Sequence, residues 1–204
     1  MRGFEQGNKV ALVISECQRG VIEREFSVFT GLVDQVEERG VVAKIAALAD
    51  DFRAHGMPVI HAHVAHPVDY ANVPRTSLII ARSVKMGSMK VGSAEVDAVP
   101  ELAPKDGDVV HTRGFSLVAF NGTDFDAQLR NRGITTVVMV GVSSNIALPG
   151  MAVCASDLGY QVVIPEDCIA GASAETHAFS VANTLPLFAN VVTSADVSEA
   201  LKSV

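Results

Sequence analysis

Three positions along the chain carry groups suited to chemistry, and each lies at the C-terminal end of an apolar run. The first is Glu16, directly after Val10–Ser15 (VALVIS). A carboxylate there can give or take a proton if it faces the crevice of an open parallel sheet; on position alone it reads equally as a surface glutamate. The second is Arg113, which closes the run VVHTR. Its guanidinium can hold a carboxylate in bidentate fashion, or simply pair with a surface acid. The third is the turn Ser143-Ser144-Asn145, between the apolar run Val137–Gly141 and an alanine-rich segment from Ile146. A strand feeding a tight turn into a helix presents unpaired N–H groups and the positive end of the helix dipole. This turn offers hydroxyls and an amide but no strong nucleophile, and Ala147 stands where the helix begins.

His61, His63 and His66 cluster after a fourth apolar run, Val59-Ile60. Neutral imidazoles are good ligands for zinc or iron. No nearby carboxylate or cysteine completes a metal set, so pocket-lining or hydrogen-bonding histidines are the preferred reading. No metal is assigned.

The elements that must position these residues alternate along the chain. Strands are expected at Val10–Ser15, Val59-Ile60, Val109–Arg113, Val137–Gly141, Gln161–Pro165 and Asn190–Thr193. Helical patterning falls between them, over about Asp34–His55, from Thr123 to about Arg132, from Ile146, over Ser173–Leu187 and over Ser194–Leu201. Residues 21–33 read as irregular and 67–100 as a long excursion, of the kind that covers a site or meets a partner. Alternating strands and helices without repeats or linkers predict a three-layer α/β/α fold with a doubly wound, mainly parallel sheet, as one domain over residues 1–204.

Composition narrows the function classes. Of the 204 residues 49% are hydrophobic and 19% charged, which fits a globular chain with a large core. A net charge of −7 disfavours nucleic acid or an anionic membrane as partner. Three cysteines without a CxxC pair suit a reducing compartment. The segment MRGFEQGNK lacks the apolar run of a signal peptide, and the expectation is a cytoplasmic protein with a small-molecule substrate.

Three blocks together, ALVISECQRG, AFNGTDFDAQLRNRGITTVVMVGVSSNIA and ASDLGYQVVIPEDCIAG, resemble the isochorismatase-like hydrolase family of the cysteine hydrolase superfamily, over nearly the whole chain. The resemblance implies that fold, hydrolysis of a small metabolite without a cofactor, assembly as dimers or tetramers, and a cis peptide at Val142–Ser143. The family's catalytic Asp, Lys and Cys fall on Glu16, Arg113 and Ala147. Amide hydrolysis in this family needs a thiolate, which an alanine methyl cannot replace. Cys154 lies two helical turns further on, and strand alternation directs Cys17 away from the side of Glu16. Cysteine-dependent amidase activity is therefore not expected.

The family includes a branch without the thiol, the isochorismatases, which hydrolyse a vinyl ether by acid catalysis. That branch implies Glu16 as acid, Arg113 for a substrate carboxylate, and the Ser144–Ala147 N–H groups as orienting donors. Ser143, Ser144, Asn145 and His63 are then the substrate-binding candidates. A catalytically silent member that binds a ligand or partner stays open, because all three family positions have changed.

Overall fold

The computed structural model describes residues 1–203. Its core is a parallel sheet of β1 (Val10–Ser15), β2 (Val59–Val64), β3 (Val109–Arg113), β4 (Thr136–Val142), β5 (Gln161–Pro165), β6 (Ile169–Ala170) and β7 (Asn190–Val192). The strand order is β3-β2-β1-β4-β5-β7, with β6 alongside the last residues of β4. The chain therefore builds outward from β1 to β3, then crosses back and builds from β4 to β7. That reversal puts the topological switch point between β1 and β4, where open α/β sheets form their ligand crevice.

The apolar runs are continuous because both faces of the central strands are covered. Val10, Leu12, Ile14, Val138 and Val140 pack in one layer with Ile45, Leu48 and Phe52 of α3 (Val41–Ala54). Ala11, Val13, Val137 and Met139 pack in the other with Phe125 and Leu129 of α5 (Phe125–Asn131) and with Leu148 and Met151 of α6 (Ala147–Asp157). The expected doubly wound three-layer fold is what the chain adopts. Among the described residues no helix is long and apolar enough to cross a membrane.

Some local expectations are corrected. The helix read over Asp34–His55 is two, α2 (Thr30–Glu38) and α3, parted at Gly40, whose φ of 61° suits glycine. The segment read as irregular begins with α1 (Arg19–Ile22), and the 67–100 excursion contains α4 (Leu78–Met86). Of α4 only Ile80 is buried, so its helical stripe is short. The helix read over Ser173–Leu187 is α-helical only at α7 (Ala174–Phe179). It continues as a wider turn over Ser180–Thr184, where the Ser180 hydroxyl donates to Ser144 O at 2.5 Å, and tightens at Leu185–Leu187 around Pro186. The terminal helix α8 spans Ser194–Leu201.

Candidate active site

The ends of β1 and β4 meet because their register pairs Ser15 with Gly141. No other residue fits at 141: φ is +97°, and a Cβ would lie 2.3 Å from Ser15 O. One residue past Ser15, Glu16 turns out of the sheet in the left-handed region (φ 52°), an uncommon conformation for a non-glycine side chain. Just past Gly141 the Val142–Ser143 peptide is cis, as the resemblance implies, and the chain passes through Ser144, Asn145 and Ile146 into α6.

Between these ends lies a cavity of about 370 Å³. Glu16, Val142, Ser143, Asn145, Ile146 and Ala147 line it from the two strand ends, and Phe29, Leu32, Ile79, Arg82 and Leu117 also contribute to its wall. Glu16, Ser143, Asn145 and Ala147 are thus brought together. Arg113, Ser144 and His63 do not line the cavity.

Arg113 lies beneath Glu16, with only 1% of its side chain exposed. Its Nη2 donates to the Glu16 carboxylate, Nε to Ser116 O at 3.0 Å and Nη1 to His63 O at 3.2 Å. Each nitrogen has an acceptor, so the guanidinium positions Glu16 rather than meeting a ligand. Burial, partly offset by Arg113, holds the Glu16 carboxyl above its ordinary 4.5.

Ser144 points away from the cavity and is fully buried. Its N–H donates to Ala170 O at 2.7 Å, and its hydroxyl sits 3.0 Å from His177 Nδ1. Ile146 N–H donates to Ser143 O at 3.3 Å. Of the four N–H groups expected to orient a substrate, Ser144 and Ile146 are thereby committed, whereas those of Asn145 and Ala147 have no acceptor among the described residues. The Asn145 side chain accepts from Ala172 N at 3.1 Å, which fixes its tilt.

His63 packs edge-on against His61, with ring centroids 5.7 Å apart, and burial, then His61 and Arg113, lowers its pKa to about 4. His61 Nε2 donates to Asp108 at 3.1 Å, and His66 Nδ1 lies 2.8 Å from Gly114 O. His61 and His66 thus turn to different acceptors, and His63 packs against His61 with its Nε2 unpaired among the described residues. Among the described residues no group of three or more His, Cys, Asp or Glu side chains is arranged to hold a metal ion.

No thiol lines the cavity. Cys17 is 1% exposed, its Sγ 3.6 Å from Ser15 O, and burial with the Glu16 charge pushes its pKa up. Cys168 is fully buried, with its pKa raised by burial to about 12. Half-buried Cys154 lies on α6, 3.9 Å from the Asn121 side chain.

A doubly wound sheet, a carboxyl group near its switch point and a helix N-terminus beside it form the ligand crevice of an open α/β sheet. The isochorismatase domain matches residues 10–196, and the chain belongs to the isochorismatase family. It is 31% identical over 198 residues to the isochorismatase-family protein YecD of Escherichia coli O157:H7, covering 94% of this chain and 95% of that one. It is 32% identical to YwoC of Bacillus subtilis over 195 residues, 95% of each. A solved isochorismatase family protein from Burkholderia thailandensis superposes with a TM-score of 0.79 at 34% identity, over 95% of this chain and 96% of that one.

Proposed function

We infer that this protein is a thiol-independent hydrolase of a small metabolite, with Glu16 as general acid. The observation that carries the reading is the placement of Glu16: buried, raised in pKa, and on the wall of the cavity it shares with Ala147. A carboxyl whose burial raises its pKa keeps its proton to higher pH than an ordinary glutamate, which favours a role as proton donor. On a vinyl ether, Glu16 would protonate the enol carbon and water would add to the resulting oxocarbenium carbon. The proton lost by that water returns to the Glu16 carboxylate, and the hemiketal collapses to a carbonyl compound and an alcohol. Arg113 holds the carboxylate and stabilises it once the proton has left. The free N–H groups of Asn145 and Ala147 supply donors for an oxygen of the substrate, and Ser143 adds a hydroxyl.

A second reading is favoured by one observation: the Glu16–Arg113 pair is self-satisfied and Ala147 offers no nucleophile, as in a binding protein that has lost its chemistry. The two are separated by assaying wild type and Glu16→Gln against isochorismate and a panel of small amides, with products resolved by chromatography. The acid-catalysis reading expects vinyl-ether turnover that the substitution abolishes. Equal turnover by both proteins, or none by wild type, would remove Glu16 from that role. Amide turnover by wild type would return attention to Cys17 and Cys154.

A further inference from the structure

Arg113 is hydrogen-bonded to Glu16 and does not itself line the cavity. Arg82, on α4, also lines the cavity. Among the described residues its exposed side chain makes one hydrogen bond, Nη2 to Val28 O at 3.4 Å, and no ion pair; its guanidinium lies 5.9 Å from the centre of the Phe29 ring. Among the described residues it is the one cationic side chain on the cavity wall. The cavity wall also carries the apolar side chains of Phe29, Leu32, Ile79 and Leu117.

The segment bearing Arg82 is anchored. His66 N–H donates to Met89 O at 2.7 Å and Val91 N–H to His66 O at 2.9 Å, which pins both ends of residues 67–88. Tyr70, Val73 and Ile80 pack with Val84 and Leu117 into a small cluster of their own, separate from the two sheet layers. Arg82 therefore projects from a compact strap rather than a loose loop, and its planar fork is available to an incoming anion. A single guanidinium with no second cation matches a singly charged carboxylate better than a doubly charged phosphate.

We propose that Arg82 is the specificity-determining residue of this cavity and takes the carboxylate of a small substrate whose apolar body lies along Phe29, Leu32, Ile79 and Leu117. That the other end of the substrate reacts at Glu16 rests on the hydrolase reading above. The contact between Arg82 and the carboxylate does not.

The test is calorimetric titration of the full chain with benzoate and with benzamide, two probes of one shape that differ in charge. Wild type, Arg82→Gln and Lys85→Gln are compared; Lys85 is an exposed cation of the same helix that does not line the cavity. Wild type should bind benzoate about tenfold or more tighter than benzamide. Arg82→Gln should weaken benzoate about 10–100-fold, a charge-assisted pair lost, and leave benzamide within about twofold. Lys85→Gln should leave both unchanged. The proposal is overturned if wild type shows no benzoate preference, including no binding of either probe up to about 10 mM, or if the preference survives in Arg82→Gln. Binding involves no chemical step, so the two readings fail separately. An Arg82-dependent preference in a protein that turns over nothing sinks only the hydrolase; turnover with a KM insensitive to Arg82 sinks only the carboxylate subsite.

Discussion

Arg113, at the end of β3, reaches past the end of β2 to Glu16 beyond β1, its guanidinium donating to the carboxyl group, and the other two Arg113 nitrogens are held by Ser116 O and His63 O. The pair is nearly dry, at 1% and 13% side-chain exposure. Removing the guanidinium leaves the Glu16 carboxyl without the donor that offsets its burial, and the Ser116 and His63 carbonyls without donors. Arg113→Met should therefore lower the unfolding free energy by about 3–5 kcal/mol at neutral pH, measured by urea denaturation. Arg113→Lys should lose less, since it keeps the charge while forfeiting the fixed fork. A change within about 0.5 kcal/mol for Arg113→Met would mean the pair is solvated.

Ala147 marks the position where a thiol would be activated. It begins an eleven-residue helix and lies on the cavity wall. A cysteine placed there meets free N–H groups and the positive end of the dipole, which lower a thiol pKa below its usual value of about 8.5. Iodoacetamide near neutral pH should label Ala147→Cys at least about tenfold faster than Cys154, and should leave Cys17 and Cys168 untouched in the folded protein. Labelling of the new thiol no faster than Cys154 would show that the turn does not present residue 147 to the cavity.

Behind the turn, a polar chain of Ser144, His177, Glu166 and Arg39 fixes its shape from outside the cavity. Ser144 Oγ lies 3.0 Å from His177 Nδ1, and His177 Nε2 is 3.9 Å from Glu166, which accepts from Arg39 Nη2 at 2.9 Å. Burial and then Arg39 lower the His177 pKa, against the pull of Glu166, so the imidazole is neutral at pH 7. His177→Ala should cost about 1–3 kcal/mol by leaving the Ser144 hydroxyl buried and unpaired. In the double variant with Ser144→Ala the two losses should fall short of additive by at least about 0.5 kcal/mol. Strict additivity would dissolve the network.

Much of this site was legible in the sequence because its parts sit at strand ends. VALVIS and TVVMVG are uninterrupted apolar runs, and such runs mark the central strands of a parallel sheet, so Glu16 and the Ser143–Ala147 turn were located by what precedes them. Phe29 and Leu32 lie in the stretch read as irregular and Ile79 and Arg82 in the 67–100 excursion, and all four line the cavity. What one sequence could not give was direction. Arg113 was read as reaching for a substrate carboxylate, yet its nitrogens turn to Ser116, His63 and Glu16. Ser144 sits between two cavity-lining neighbours and faces the opposite way, because its own N–H pairs with Ala170 O. Arg39 and Glu166 are 127 residues apart, and no local pattern announces their contact.

The central claim is that Glu16 retains its proton where an ordinary carboxylate has lost it. The direct measurement is a carbon-13 NMR titration of the glutamate side-chain carboxyls, with the Glu16 signal assigned by its absence from Glu16→Gln. The account predicts a midpoint above 4.5, burial outweighing Arg113. By linkage, the folded protein then binds a proton that the unfolded chain has released, from pH 4.5 up to that midpoint. The stability this group contributes is full below 4.5 and is lost as pH rises through the window, so the advantage of wild type over Glu16→Gln should shrink with pH across it. A midpoint below 4.5, with that advantage growing as pH rises, would contradict the account. Glu16 would then be an ionised partner of Arg113 with no proton to give.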